Sequence, residues 1–176
     1  MKKLHLLTPL SFLLICVFMS FGACAQNNKA NRPSPPASAT GEIGPANITI
    51  NYSSPAVKGR TIWGELVPYG QVWRAGANEA TTFEVDQDVM VEGKLLPAGK
   101  YSFYTIPGEE EWTIIFNKVA NQWGTEYDDR HDALRVNVKP RETASMNERL
   151  KYDVTDDGIV LIWEKMEVPV SVKVKE

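Results

Sequence analysis

The sequence predicts an all-β protein, an antiparallel β-sandwich of the jelly-roll or immunoglobulin-like kind with little helix. Three observations support this fold class. Stretches of alternating apolar and polar residues recur, about nine of them at spacings of about 8–12 residues. Turn residues separate these stretches, as at Pro107-Gly108 and Asp157-Gly158. After the N-terminal leader, no stretch sustains the 3.6-residue apolar period of a helix.

The strand signals begin at Asn47, where Ile48, Ile50 and Tyr52 alternate with polar residues. The region 93–99 is predicted to be a turn that contains a short strand, and 118–133 to be a long excursion with one helical turn. The main predicted strands are, in order, 47–53, 81–85, 88–92, 100–106, 112–117, 134–138, 150–154, 159–163 and 167–174.

Residues 1–25 have the layout of a secretory signal peptide: a basic start, an apolar run and then small residues. Cleavage after Ala25 fits the small-x-small rule, whereas cleavage before Cys24 would leave a cysteine for lipidation. An uncleaved anchor is a third reading of the apolar run. We therefore expect an exported protein of the cell envelope: periplasmic, attached to the outer membrane as a lipoprotein, or secreted. Any contact with a membrane is expected only through a lipid on Cys24.

Residues 26–41 are polar, include three prolines and lack large apolar side chains, which predicts a disordered linker. The β-sandwich domain is then expected over 42–176. Both cysteines, Cys16 and Cys24, lie in the leader, so a disulfide or a cysteine metal site is not expected in the domain.

The formal charge of the 176-residue chain is −3, and no basic run of the kind that neutralises phosphates is present, so nucleic acid is not an expected partner. The only histidine after the leader is His131, which is fewer than zinc sites usually use. Nearby aspartates lack the spacing of a calcium loop. We expect no metal and no cofactor.

The segment 63–82 concentrates side chains that can orient a ligand. Arginine offers a rigid fork for a carboxylate, a phosphate or sugar hydroxyls, and asparagine and glutamate offer further polar contacts. Tryptophan can stack on the apolar face of a sugar. The predicted ligand-binding residues are Trp73, Arg74, Asn78 and Glu79, with Arg60 flanking them.

The same residues have a structural interpretation. Arg74 and Glu79 could form an internal ion pair that fixes a long loop, with Trp63 and Trp73 filling the end of the sandwich. Arg60 could lie on a solvated loop. Arg74 and Glu79 therefore hold either each other or a ligand.

Two further interpretations concern catalysis and the remaining tryptophans. Glu65 and Glu79 are weak candidates for the paired carboxylates of a glycoside hydrolase, because two carboxylates across a cleft are sufficient for that chemistry. Trp112 and Trp163 are expected in the core. Trp123 is the exception, because it lies in the long excursion beside Asn121 and Gln122, whose amides suit hydroxyl ligands.

Several long motifs resemble one bacterial family, the domain of unknown function DUF2911. The resemblance implies a secreted or envelope-attached β-rich domain and assigns no activity or catalytic residue. The main motifs are YSSPAVKGRTIWG at 52–64, LVPYGQVWRAGANEATTF at 66–83, LPAGKYS at 96–102, IPG at 106–108, WTIIFN at 112–117, ERL at 148–150 and IWEK at 162–165.

Three functional hypotheses follow. The leading one is a non-enzymatic envelope domain that binds a small polar or carbohydrate-like ligand, or a partner protein, through the predicted set. The second is a glycan-directed hydrolase that uses Glu65 or Glu79. The third is a purely structural envelope module.

Overall fold

The computed structural model describes residues 29–175 and consists of two antiparallel β-sheets packed face to face, which confirms the predicted fold class. Residues 1–28, and with them the signal peptide and Cys24, lie outside the described residues. The strands are β1 (Pro36–Ile43), β2 (Ala46–Ser53), β3 (Thr81–Val85), β4 (Val89–Val91), β5 (Lys94–Leu96), β6 (Gly99–Ile106), β7 (Trp112–Asn117), β8 (Asp132–Val138), β9 (Arg141–Thr155) and β10 (Gly158–Val174).

One sheet has six strands in the order β1-β2-β3-β6-β7-β8, and the other has four in the order β5-β4-β10-β9. The alternation in the sequence directs one face of each strand inward, so that Ile48 and Ile50 of β2 are buried. On the neighbouring strands Phe83, Phe103 and Phe116 meet edge to face, with ring centroids 5.1 Å apart for Phe83–Phe116 and 5.4 Å for Phe103–Phe116. The core therefore lies between the sheets.

The strand β1 corrects the prediction of a disordered linker over 26–41 for its residues 36–41. Its eight residues pair with all of β2, from Pro36 opposite Ser53 to Ile43 opposite Ala46. The small residues of β1 allow it to lie close to β9, since a Cβ at Gly41 would be 2.8 Å from the Val154 side chain. A lack of large side chains is typical of disordered linkers, but in β1 it permits close packing. Residues 29–31 form a single 3₁₀ turn before β1.

The two predicted strands 159–163 and 167–174 are one continuous strand, β10. Its pairing with β9 shifts register on both sides of Glu164, which has a φ of 56°. At this bulge the pairing register with β9 changes while the strand continues. The β9 strand likewise begins at Arg141, well before the predicted residue 150.

The excursion after β7 folds back over the outer face of the six-stranded sheet. Ser102 donates a hydrogen bond to the Val119 carbonyl, and Tyr127 packs against a small cluster formed by Ala80, Tyr104 and Ile115. The predicted helical turn is the 3₁₀ turn Asp129–His131, in which His131 is exposed. No helix within residues 29–175 is long and apolar enough to cross a membrane.

Candidate functional site

The segment between β2 and β3 is held rigidly although it has no regular strand. Trp73 exchanges two backbone hydrogen bonds with Thr105, of 2.7 and 2.9 Å. Ala75 adopts a φ of 49°, and its carbonyl accepts hydrogen bonds from the hydroxyls of Tyr152 at 2.7 Å and Thr81 at 3.0 Å. Two buried donors thus fix a backbone conformation that is uncommon for alanine. The side chains around Ala75 are presented on a preorganised backbone.

Four tryptophans form one cluster, referred to as the tryptophan cluster, between the two sheets. Trp112 comes from β7 and Trp163 from β10, while Trp63 and Trp73 come from the segment between β2 and β3. The Trp63 ring lies 4.9 Å from Trp112 and 5.8 Å from Trp163, in edge-to-face contacts, and Trp73 stacks on Trp163 at 5.8 Å with an interplanar angle of 16°. The expected filling of the sandwich by Trp63 and Trp73 is confirmed.

A cavity of about 450 Å³ lies beside the tryptophan cluster. Four of the five predicted ligand-binding residues line it: Arg60, Trp73, Arg74 and Asn78. Trp163, a member of the tryptophan cluster, lines the same cavity. We call this space the tryptophan–arginine cavity. The sequence prediction therefore brought together residues that share one concave surface.

The two arginines of the tryptophan–arginine cavity have no carboxylate partner among the described residues. Arg60 donates to the backbone carbonyls of Val57 at 3.0 Å and Ala56 at 2.5 Å, which fixes its guanidinium and leaves its charge uncompensated. Arg74 is half-buried, and its Nε has no hydrogen-bond partner within residues 29–175. No Asp or Glu in the described part of the chain lines the cavity. The local field is therefore positive.

Two buried donors on this cavity are unpartnered. They are the Nε of Arg74 and the indole Nε1 of Trp163, a residue that is only 1% exposed. A buried donor without an acceptor costs about 1–3 kcal/mol, so such groups usually mark a missing partner. Both residues line the cavity, although the two nitrogen atoms themselves are buried.

Close packing from the excursion holds Arg74 in position. A Cβ at Gly124 would lie 2.2 Å from the Arg74 Cδ and 2.8 Å from the Asn78 carbonyl oxygen. The Gly124 amide also donates to that carbonyl at 3.0 Å. Glycine at this position therefore allows the excursion to press against the stem of Arg74.

Glu79, the fifth predicted residue, faces a different space and corrects the expected ion pair with Arg74. Its carboxylate contacts Lys29 at 3.0 Å and Arg32 at 2.9 Å. These cations belong to residues 29–35, which we call the N-terminal strap. The strap is also held by Asn78, whose side-chain amide donates to the Ser34 carbonyl at 3.1 Å. Asn78 therefore lines the tryptophan–arginine cavity, while the next residue, Glu79, lines a second cavity.

The environment of Glu79 lowers the pKa of its carboxyl from 4.5 to about 2. The largest cause is a hydrogen bond from its own backbone N–H, followed by those from Lys29 and Arg32. A carboxyl with this pKa stays ionised at neutral pH and is poorly suited to act as a general acid. Glu65 is exposed and does not line the cavity that Glu79 lines. The structure therefore does not bring together the two carboxylates of the hydrolase hypothesis.

Acidification is expected to release the N-terminal strap. Because the folded-state pKa of Glu79 is depressed, its stabilising contribution is present above about pH 4.5 and is lost as the pH falls towards about 2. Glu79 is 39% exposed, so the effect on global stability is small and the local effect is the one to measure. An NMR titration of the folded protein should show the Glu79 carboxyl carbon and the Arg32 amide changing together, with a midpoint near pH 2.

The matched control is Glu79→Gln, in which the Arg32 amide should no longer respond between pH 4.5 and 2. A Glu79 carboxyl that titrates near 4.5 in the unmodified protein would show that the strap does not pair with it.

The sequence did not indicate the roles of Lys29 and Arg32, because neither carries a local signal of its partner Glu79, which lies 50 residues after Lys29 and 47 after Arg32. It did single out Trp123, which lines the cavity that Glu79 faces. Within residues 29–175, no group of three or more His, Cys, Asp or Glu side chains is placed to hold a metal ion.

The fold and the two cavities define a two-sheet β-sandwich with recessed surfaces on a rigid scaffold. The chain belongs to the family described as protein of unknown function (DUF2911), whose model matches residues 34–172. The match begins inside the N-terminal strap and ends at residue 172, so it covers the sandwich except for the last two residues of β10. Neither the curated proteins nor the solved structures include one that matches the chain.

Proposed function

We propose that this protein is an exported, non-enzymatic binding domain whose tryptophan–arginine cavity takes a small anionic ligand, such as a sugar acid or a sugar phosphate. The observation that carries the proposal is that Arg60 and Arg74 line one cavity with no acidic residue in its wall. An anion would supply the charge that the protein does not provide.

The chemistry of the cavity suits an anionic group attached to a ring. A guanidinium binds a carboxylate or phosphate through paired, charge-assisted hydrogen bonds that are stronger than neutral ones. The exposed part of Trp73 offers an apolar face for a ring. These features together favour sugar acids over simple inorganic anions.

Binding is favoured over turnover by the composition of the wall. Among the described residues, the lining includes no Asp, Glu, His, Cys, Tyr or Lys, and therefore none of the usual general acids or bases. The exported location rests on the signal-peptide pattern of residues 1–25. The cell-envelope setting is proposed on the same basis, with the attachment at Cys24 as one of its forms.

A paired ligand panel tests the proposal. Thermal unfolding would be followed at fixed ionic strength with D-glucuronate, D-galacturonate and glucose 6-phosphate, each compared with the neutral parent sugar. At least one acidic sugar is expected to raise the Tm in a saturable manner, because a ligand that binds only the folded state stabilises it. The neutral parents should have no effect at the same concentrations. Equal effects of charged and neutral sugars, or no effect of any acid, would contradict the proposal.

A further inference from the structure

A second cleft, of about 770 Å³, lies on the outer face of the six-stranded sheet. Its floor includes Asn51 of β2 and Thr82 of β3, and its wall is formed by the excursion at Gln122 and Trp123. The N-terminal strap closes the other side. None of its lining residues lines the tryptophan–arginine cavity. We call it the Trp123 cleft.

We infer that the Trp123 cleft is a separate binding site for a neutral oligosaccharide. The first observation is the exposure of Trp123. Of the five tryptophans, all within the described residues, it is the exposed one, with 46% of its residue surface accessible. The other four form the tryptophan cluster.

Trp123 is exposed on a fixed backbone rather than on a loose loop. The Ala80 amide donates to the Gln122 carbonyl at 3.1 Å, and Glu79 and Trp123 form an antiparallel bridge. The Glu126 amide closes a turn on the Trp123 carbonyl at 2.9 Å. A rigid, exposed indole at a cleft wall is a suitable platform for the apolar face of a sugar ring, since little entropy is lost on binding.

The polar groups of the cleft suit hydroxyls. Thr82 is 9% exposed and lines the cleft, and its buried Oγ1 has no hydrogen-bond partner among the described residues. The Gln122 amide nitrogen donates to the Tyr104 hydroxyl at 2.8 Å, which orients the amide. Asn51 and Asn121 add further side-chain amides to the lining. Hydroxyl and amide groups can both donate to and accept from sugar hydroxyls.

The charges of the cleft favour a neutral ligand over an anion. Each cation in the lining pairs with a carboxylate: Lys29 and Arg32 with Glu79, and Lys100 with Glu84 at 3.2 Å. The remaining charged lining residue, Glu126, would repel an anion. This pattern is the opposite of that in the tryptophan–arginine cavity, where two arginines have no carboxylate partner.

Isothermal titration with cellohexaose, xylohexaose, maltohexaose and mannohexaose tests the inference. The unmodified protein should bind at least one of these neutral chains, and Trp123→Ala should weaken that binding at least tenfold. Met146→Ala is the matched control, because Met146 is an exposed apolar residue, 51% accessible, outside the cleft. Thr82→Val, which keeps the side-chain shape and removes the hydroxyl, should also weaken binding. Saturating D-glucuronate should leave binding unaltered.

Three results would overturn the inference: no binding of any of the four chains, equal binding by Trp123→Ala, or displacement by D-glucuronate. The last result would assign the sugar to the tryptophan–arginine cavity instead. Thermal unfolding of Trp123→Ala checks the fold, and Thr82→Val provides a second test if that variant is unstable. If the oligosaccharide inference fails, the acidic-sugar proposal still stands on its own test, so the two proposals can fail separately.

Discussion

Replacing Trp163 with alanine is expected to lower the free energy of unfolding by about 3–5 kcal/mol, as for other large aromatic residues removed from a core. Trp163 is 1% exposed and contacts Trp63 and Trp73, each at 5.8 Å. Its loss would leave a cavity between the two sheets and remove the surface on which Trp73 stacks. Urea denaturation monitored by far-ultraviolet circular dichroism measures the change.

The matched control is the same substitution at the exposed tryptophan, Trp123→Ala, which should cost about 1 kcal/mol or less because surface changes are usually small. Similar losses in the two variants would contradict the view that the tryptophan cluster joins the sheets. A large loss for Trp163→Ala is also consistent with the structural-module hypothesis, so this experiment tests the scaffold and not the ligand.

Replacing Arg74 with alanine is expected to weaken binding of the acidic sugar by about 10–150-fold, because hydrogen bonds to a charged group contribute about 1.5–3 kcal/mol. Arg74→Lys should weaken it as well, since lysine keeps the charge but not the fork. Arg60→Ala should act in the same direction. Titration calorimetry at fixed ionic strength measures the dissociation constants.

The control for these variants is Arg130→Ala, which removes an arginine that is 82% exposed and already paired with Asp128. It should leave the affinity unchanged. Stability gives a second criterion. Arg74 has no carboxylate partner among the described residues, so its removal should not lower the free energy of unfolding as the loss of a buried ion pair would. If Arg74→Ala bound the acidic sugar with unchanged affinity, the tryptophan–arginine cavity would not be the anion site.

The predictable part of the fold is the part with a local signal. Alternation along β2, β6 and β7 places Ile50, Phe103 and Ile114 inward, and the structure buries all three. The burial of Trp112 and Trp163 was also expected from residue type. The bulge at Glu164 could not be foreseen, because a change of register depends on pairing with β9 and leaves no pattern in β10 alone.

The candidate site was predictable only for the residues that are close together in the sequence. The residues Arg60, Trp73, Arg74 and Asn78 are near one another in sequence, and the fold keeps them on one cavity. Successive residues can nevertheless point in opposite directions, which is why Asn78 and Glu79 line separate spaces. The partners of Glu79 come from the N-terminal strap, whose composition is that of a linker. Long-range ion pairing of this kind has no signature in one sequence.

The most direct test of the proposed anion site is an NMR titration that observes the unpartnered donors themselves. On addition of the acidic sugar that stabilises the protein, the Arg74 Nε–H and the Trp163 indole N–H should shift together with one dissociation constant. The indole N–H of Trp123, in the other cleft, should remain unchanged. If the Arg74 and Trp163 signals stay fixed while the ligand binds, the tryptophan–arginine cavity is not the anion site.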